Sequence, residues 1–160
     1  MKMNYFLTIS KRKFVVLSLV IPLLYNSLSV FVKIGPIHRK NLFQDLPLFI
    51  IFFNKVILGP LIETFIFQFL LLEVWMNVFK NHKYKYLISI LGSGLAFGLA
   101  HYTNTHNPIY TIWTTISGWL LASIYLFSKI RKDVSPFLMV FFPHALINLI
   151  SFLLNDLISR

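Results

Sequence analysis

Four ionisable side chains interrupt stretches of sequence that are otherwise apolar: Glu63, Glu73, His101 and His144. An ionisable group inside a bilayer or an apolar bundle is costly unless it is paired or hydrated, so each of these positions marks a candidate site. Carboxylates and imidazoles are also the side chains that most often transfer protons near neutral pH. The chemistry that they predict is general acid–base catalysis.

Glu63 lies in the segment Gly59-Pro60-Leu61-Ile62-Glu63-Thr64. The Gly-Pro pair predicts that one helix ends and that a new helix begins at Pro60, with Glu63 in its first turn. The helix dipole there favours the carboxylate and apolar surroundings favour the neutral acid, a competition that suits a general base. The structural alternative is a helix-start acid that is paired across the bundle. Glu73 lies about 80° further round the helix, and we expect it to pack or to pair with the nearby basic loop.

His101 ends a segment in which Gly94 and Gly98 have the G-x-x-x-G spacing. Small residues at this spacing allow two helices to approach closely, which would bring a polar group of another helix near His101. His144 and Asn148 are four residues apart and share one helix face. Two donors that converge in a dry cavity could stabilise an oxyanion, although a polar contact between helices would use the same residues.

The expected depths of these residues agree only in part. Glu63 is three positions after Pro60, and His101 is three positions before Asn104. Two antiparallel helices would therefore place Glu63 and His101 at the same depth, about 4.5 Å from one face of the membrane. His144 is predicted near the middle of its helix, with Asn148 nearer to the level of Glu63. The sequence therefore predicts one site but leaves His144 too deep.

The elements that must position these residues are long apolar segments. The chain has 160 residues, of which 57% are hydrophobic and 12% charged, whereas soluble domains have about 25% charged residues. Six segments are long enough to cross a bilayer, and they are Phe14–Val32, Leu42–Leu58, Pro60–Phe79, Tyr86–Asn104, Ile109–Phe127 and Phe137–Asn155. We predict an all-α, polytopic transmembrane bundle of about six spans, a single integral-membrane domain over residues 1–160 with its motifs in residues 58–155. Its expected location is the bacterial cell membrane, with the lipid bilayer as a partner.

The basic residues fall between these segments and give a net charge of +10. They form four clusters, which are Lys11 to Lys13; Lys33, Arg39 and Lys40; Lys80, Lys83 and Lys85; and Lys129, Arg131 and Lys132. No cluster alternates with aromatic residues on an amphipathic face, so we expect contact with lipid headgroups and no nucleic-acid partner. With six spans, nine basic residues lie on one side and six on the other, which predicts no orientation.

Three further histidines, His38, His82 and His106, lie in the predicted loops, and we expect their side chains to be solvated. The first apolar segment is longer than that of a secretory signal and has no small-residue cleavage site, so it is predicted to be retained. The chain has no cysteine, which excludes disulfides, thiolate metal sites and a cysteine nucleophile.

The polar residues resemble, in order and spacing, three motifs of the CAAX protease and bacteriocin-processing (Abi) family of intramembrane endopeptidases. The family patterns are E-E-x-x-x-R, F-x-x-x-H and H-x-x-x-N/D. The second and third patterns are matched by Phe97 with His101 and by His144 with Asn148. The first is matched in part, because Glu63 is followed by Thr64 in place of Glu and by Gln68 in place of Arg.

The resemblance implies an all-helical protease in which Glu63 and His101 activate a water and His144 and Asn148 stabilise the oxyanion. The implied substrate is a peptide or a membrane protein. Without the family's arginine, the orientation of Glu63 would depend on Thr64, Gln68 and the helix start.

Three alternatives have to be weighed against this hypothesis. Two histidines and a glutamate could bind zinc, but H-E-x-x-H is absent, so water activation without a cofactor is preferred. A serine protease would pair Ser93 with His144, but Leu91 stands where a G-x-S-x-G-like core needs glycine. A noncatalytic binding or immunity module would keep the fold and use the polar residues as internal contacts, and Thr64 and Gln68 favour it.

Overall fold

The computed structural model describes residues 7–31 and 46–154. Within those ranges the chain forms five helices and no strand, which confirms the all-α prediction. The helices are α1 (Lys11–Phe31), α2 (Leu48–Val78), α3 (Lys85–Thr105), α4 (Pro108–Arg131) and α5 (Pro136–Phe152). His38 and the basic cluster at residues 33–40 lie outside the described residues.

Helix α2 runs without interruption through Gly59 and Pro60, so the predicted helix start at Pro60 is wrong. Two π-helical segments, Phe53–Leu58 and Thr64–Leu71, flank this point. Proline cannot donate a backbone hydrogen bond, and a wider π turn is one of the ways in which a helix accommodates that loss. Glu63 therefore lies in the middle of a 31-residue helix, away from the charge of any helix terminus.

The continuity of α2 also corrects the number of spans. The segments predicted as two spans, Leu42–Leu58 and Pro60–Phe79, form one helix from Leu48 onward, and residues 42–45 lie outside the described residues. Among the described residues, α2 and α4 are long and apolar enough to cross a bilayer, and α5 is a shorter apolar helix. At 31 residues, α2 is about 46 Å long, which exceeds the thickness of a bilayer's hydrocarbon core.

Capping residues fix the two sharp turns between the last three helices. The Asn107 side chain accepts hydrogen bonds from the backbone N–H groups of Ile109 and Tyr110, and Pro108 follows it in the first turn of α4. Ser135 in the same way accepts from the Leu138 N–H at the start of α5. The short turns make α3, α4 and α5 antiparallel neighbours.

Helices α3 and α4 pack with their backbones in contact, as the G-x-x-x-G spacing predicts. A methyl group added to Gly94 would lie 2.7 Å from the Trp119 backbone nitrogen, and one added to Gly118 would lie 2.8 Å from Gly94 Cα. At Gly98 it would lie 1.8 Å from Thr115 Oγ1. These distances leave no room for a side chain, so the close approach requires glycine.

Polar side chains lie inside the bundle and large apolar ones lie outside. The buried polar residues include Thr64, Gln68, Ser89 and Ser93, each with no exposed surface. The exposed apolar residues include Phe49 at 73%, Ile112 at 63% and Val78 at 65% exposure. A bundle that encloses polar side chains and exposes large apolar ones is typical of a protein in an apolar solvent.

One end of the bundle collects the N-terminus of α1, the C-termini of α2 and α4, and the N-termini of α3 and α5. Arg131 ties α1 to this end, because its Nη1 donates to Ile9 O at 2.9 Å and its guanidinium lies over the Phe14 ring. It also donates to both carboxylate oxygens of Asp133 at 2.8 and 3.0 Å, which lowers the pKa of that carboxyl. We call this the basic end and the other the opposite end.

Candidate active site

Glu63 and His144 form a direct contact between α2 and α5. His144 Nε2 lies 3.2 Å from Glu63 Oε2, with the histidine side chain 6% and the glutamate side chain 32% exposed. An imidazole N–H that donates to a carboxylate holds it in one orientation and stabilises its negative charge. The structure therefore joins two of the residues that the sequence singled out.

Thr64 contacts the other nitrogen of the same histidine. Its Oγ1 lies 3.4 Å from His144 Nδ1, and the residue has no exposed surface. If Nε2 carries the hydrogen that faces Glu63, Nδ1 accepts from the threonine hydroxyl. The predicted support of Glu63 by Thr64 therefore acts through His144, and the helix start that was also expected to support it is absent.

His101 is fixed by its own helix. Its Nδ1 lies 2.9 Å from Phe97 O, one turn earlier in α3. Because a carbonyl oxygen can only accept, Nδ1 carries the hydrogen, and in the neutral ring Nε2 is left as an acceptor. The ring lies close enough to Glu63 for their charges to interact. His101 Nε2 is thus free to accept a proton.

The Phe97 ring contacts the rings of both histidines. Its centroid lies 4.5 Å from that of His101 and 5.7 Å from that of His144, and the residue is 3% exposed. This accounts physically for the F-x-x-x-H spacing, because a residue four positions before the histidine lies beneath its ring on the same helix face.

Asn148 does not contact Glu63 or either histidine of the site through any described hydrogen bond; its Nδ2 donates to Lys55 O at 3.0 Å. At this point α2 is out of α-helical register, because the Gly59 N–H donates to Asn54 O and Pro60 has no N–H. Asn148 supplies a side-chain donor where the backbone donors are displaced. Its amide nitrogen carries a second N–H, on which the predicted oxyanion role depends.

The continuous α2 helix accounts for the disagreement in depth that the sequence left. Glu63 is at the middle of α2 and His144 is at the middle of α5. The two residues therefore meet at one level. The depth predicted for Glu63 was wrong because it was measured from a helix start at Pro60 that does not exist.

Tyr110 is a residue of the site that the sequence did not indicate. Its ring centroid lies 6.1 Å from that of His101, and its hydroxyl interacts electrostatically with the Glu63 carboxylate. A tyrosine in the first turn after an Asn-Pro cap has no local signature of function. Only the pairing of α3 with α4 places it beside His101.

Ser93 and Gln68, which the alternative hypotheses involved, are both buried in the core. Ser93 is fully buried and its hydroxyl donates to Phe67 O at 2.7 Å, so its described partner is not His144. Gln68 is also fully buried, and neither amide atom has a hydrogen-bond partner among the described residues. It lies where the family pattern has arginine, so the described core contains an unsatisfied amide at that position.

The geometry does not match a metal centre. Within the described ranges, no three histidine, aspartate or glutamate side chains are grouped closely enough to hold a metal ion. Glu63 and His144 contact each other, while the nearest described partner of His101 is the Phe97 carbonyl. The mechanism proposed below therefore uses no metal ion.

Glu73 belongs to a second polar cluster near the basic end. It contacts the Lys129 ammonium, and the Tyr125 hydroxyl donates to it at 2.8 Å. The sequence predicted packing or a pair with the nearby basic loop, but the described basic partner of Glu73 is Lys129 on α4. His82 and His106, predicted to be solvated, are exposed in the turns on either side of α3.

Comparison with known proteins agrees with the motifs. The family model described as Type II CAAX prenyl endopeptidase Rce1-like matches residues 45–150, about two thirds of the chain. The matched region contains Glu63, His101, His144 and Asn148. No curated protein and no solved structure gives a match. The chain belongs to the Rce1-like family of CAAX prenyl endopeptidases.

Proposed function

We propose that the chain is a polytopic membrane endopeptidase that hydrolyses a peptide bond with a water activated by Glu63 and His101. The family is one of membrane-bound proteases, and the bundle has the polar interior and apolar exterior of a membrane protein. The proposal places all five helices in a bilayer. The bacterial cell membrane stays a prediction from the sequence.

The observation that carries the proposal is the contact between Glu63 and His144 beside His101. A carboxylate that served only for packing would be neutralised most effectively by a fixed cation such as lysine or arginine. Glu63 is held by an imidazole, which can release or exchange its hydrogen bond as the charge of the carboxylate changes. This arrangement suits a group that gains and loses a proton in each cycle.

The first step is the attack of water on the scissile carbonyl carbon. Glu63 accepts a proton from the water, which His101 Nε2 orients, while the water oxygen forms a bond to the carbon. The neutral Glu63 is a weaker acceptor, so the N–H of His144 becomes available to the oxyanion that develops on the carbonyl oxygen. The second N–H of Asn148 is proposed as a further donor to that oxyanion.

The second step is the collapse of the tetrahedral intermediate. The carbon–nitrogen bond breaks, and Glu63 returns its proton to the leaving nitrogen. The products are a carboxylic acid and an amine, and the site regains its ionised glutamate. No residue forms a covalent bond in this sequence, so a variant that removes only the base can be tested cleanly.

The test compares Glu63→Gln with the wild type in detergent or in lipid vesicles, with and without chelator. The substrates are a prenylated C-terminal peptide, a leader-like peptide and an apolar transmembrane segment. Wild-type cleavage should resist chelator, and Glu63→Gln should reduce it by about 10²–10⁴-fold, the usual contribution of a general base. Glu73→Gln is the matched control on the same helix and should retain cleavage.

Two results would point elsewhere. Loss of cleavage with chelator and recovery with zinc would replace the proposed water activation by metal catalysis. Absence of cleavage by the folded wild type on all three classes of substrate would favour a noncatalytic binding or immunity module. The unsatisfied amide of Gln68 is the observation that favours this second candidate, because it stands in place of the family's arginine.

The role of Asn148 needs its own variant because its described partner is Lys55 O. If Asn148 donates to the oxyanion, Asn148→Ala should raise the activation barrier by about 2.7–4 kcal/mol. If it acts only on the backbone of α2, the variant should lose thermal stability, and the folded fraction should keep its kcat.

A further inference from the structure

An apolar groove of about 100 Å³ lies between α1 and α5. Its lining side chains are all apolar, and they are Val15, Leu19, Leu138, Met139, Phe142 and Pro143. Leu138 and Phe142 are exposed, so the groove opens on the outer surface of the bundle, which the proposed function places in lipid. The described lining does not include Glu63, His101 or His144, so the groove is separate from the candidate active site.

The groove begins close to the basic end of the bundle. Val15 and Leu19 lie one and two turns after Lys11, the first residue of α1. On the other wall, Leu138 and Met139 lie in the first turn of α5. Both helices begin at the basic end, so the groove extends from that end into the apolar part of the bundle.

Two basic residues of α1 continue the groove toward the basic end. Arg12 lies about 60° from Val15 and about 20° from Leu19 round the helix, and Lys11 lies about 40° from Val15. Both basic side chains are exposed, and side chains of a helix tilt toward its N-terminus, away from the apolar part of the groove. Lys13 is also exposed but lies about 160° from Val15, on the other side of α1.

The turn between α4 and α5 adds positive charge at the same place. Asp133 in this turn is close enough to Arg131 and Lys11 for their charges to interact, which places the start of α1 beside the start of α5. Arg131 pairs with Asp133 and also donates to Ile9 O. Lys132, in the same turn, is exposed. Asp133 therefore offsets one positive charge and leaves this end of the groove positively charged.

We propose that the groove binds an anionic phospholipid, with one acyl chain between α1 and α5 and the headgroup phosphate near Lys11, Arg12 and Lys132. The two parts of such a lipid match the two parts of the site, because an acyl chain is apolar and basic residues at a membrane surface attract anionic headgroups. The proposal rests on the proposed insertion in a bilayer and not on the proposed hydrolysis.

Charge and position favour a phospholipid over the apolar part of a substrate. An apolar chain alone would gain nothing from the basic residues at the end of the groove, whereas a phosphate would. The groove also opens toward lipid and lies apart from Glu63 and its partners. Helix α1, which forms one of its walls, lies outside the residues that the family model matches.

The test titrates the full chain in a neutral detergent with dioleoylphosphatidylglycerol and counts bound lipids by native mass spectrometry. Dioleoylphosphatidylcholine has the same acyl chains with a zwitterionic headgroup, and inorganic phosphate has the anionic group without a chain. We expect one tightly bound phosphatidylglycerol, binding of phosphatidylcholine that is at least about fivefold weaker, and no displacement by phosphate at the concentration of the lipid.

Two pairs of variants test the two parts of the site. Arg12→Gln should weaken binding about fivefold, whereas Lys13→Gln, which removes the same charge from the other side of α1, should change it little. Val15→Phe fills the groove and should weaken binding about tenfold or more, because it displaces buried methylene groups. Val16→Phe is its control, since Val16 is exposed and does not line the groove. Circular dichroism checks the fold of each variant.

Each comparison can overturn the proposal. Equal binding of the two lipids would remove the anionic headgroup, and equal losses in Arg12→Gln and Lys13→Gln would replace the site by a diffuse attraction. Unchanged binding by folded Val15→Phe would remove the groove, and if that variant does not fold, Arg12→Gln at the surface still decides. Displacement of the lipid by a farnesylated peptide would assign the groove to a substrate.

The premise of membrane insertion has a separate test. Cell membranes that contain the chain are washed with alkaline carbonate, and an inserted protein should remain in them. Loss of the chain in the wash would refute insertion and the lipid site with it. Cleavage is measured in none of these experiments, so a chain that binds the lipid but cleaves no peptide would refute the proposed hydrolysis alone.

Discussion

Helix α2 carries two glutamates whose surroundings differ in one decisive respect. Both side chains are 32% exposed, and both face a nitrogen on a neighbouring helix. Glu73 contacts the ammonium of Lys129 and accepts from the Tyr125 hydroxyl. Glu63 contacts the imidazole of His144, with His101 and Tyr110 beyond it.

Exposure therefore does not distinguish the two acids, whereas the chemistry of their partners does. A lysine keeps its charge over the physiological range, so the pair with Glu73 is permanent. A histidine can change its protonation or its hydrogen bond near neutral pH, so the pair with Glu63 can respond to chemistry. The following variants test whether this difference in partner is a difference in role.

The largest effect is expected when the nitrogen partner is removed from each glutamate in turn. His144→Ala should lower kcat by about 10²–10³-fold, because it removes the donor proposed for the oxyanion. Lys129→Ala should leave kcat unchanged. Steady-state cleavage in lipid vesicles measures both, with circular dichroism as the control for folding. Equal losses of kcat in the two variants would remove the distinction between the clusters.

The second prediction concerns the close packing of α3 on α4 at Gly94. Gly94→Ala should destabilise the bundle by about 1–3 kcal/mol, because the added methyl would lie 2.0 Å from Trp119 Cδ1 and 2.7 Å from the Trp119 backbone nitrogen. Gly92→Ala is the matched control, since its methyl would meet only the Trp75 side chain, at 3.0 Å. Thermal unfolding in detergent should separate them, and equal melting temperatures would contradict the backbone contact.

The third variant lies on α2 between the two glutamates. Gln68→Met should stabilise the protein by about 1–2 kcal/mol, because it replaces a buried amide that has no partner among the described residues by an apolar side chain of similar size. The same thermal unfolding measures the gain. Destabilisation would mean that the Gln68 amide has a partner, such as an internal water, that the described contacts do not include.

The smallest effect on stability is expected for Glu73. Glu73→Gln should cost less than about 1 kcal/mol, because Glu73 and Lys129 are 32% and 42% exposed and such pairs contribute little. Tyr125→Phe, which removes the second partner of Glu73, should have an effect of the same order. A loss of several kcal/mol in Glu73→Gln would show that this pair is effectively buried in the bilayer.

The sequence by itself determined the class of the fold and indicated which residues are candidates for chemistry. The apolar segments predicted helices, and the spacing of Phe97 with His101 and of His144 with Asn148 placed these pairs on shared helix faces. The glycines of α3 predicted a close contact with another helix. These features were predictable because helical periodicity and the absence of a side chain act locally, whatever the rest of the chain does.

Tertiary structure decided whether α2 is broken at Pro60. Locally, Gly-Pro predicts a helix end, because proline lacks an N–H and crowds the preceding turn. In the bundle, Asn148 of α5 donates to Lys55 O, 93 residues away in sequence, and π turns absorb the displacement. A donor so distant in the chain cannot be inferred from the segment itself.

The continuity of α2 then decided the rest of the site. It moved Glu63 to the level of His144, gave Glu63 an imidazole partner in place of a helix terminus, and brought three basic clusters to one end of the bundle. The sequence showed which groups could react. Their partners depended on one helix remaining whole, because the carbonyls displaced around a proline must be satisfied by whichever neighbouring helix has a donor to supply.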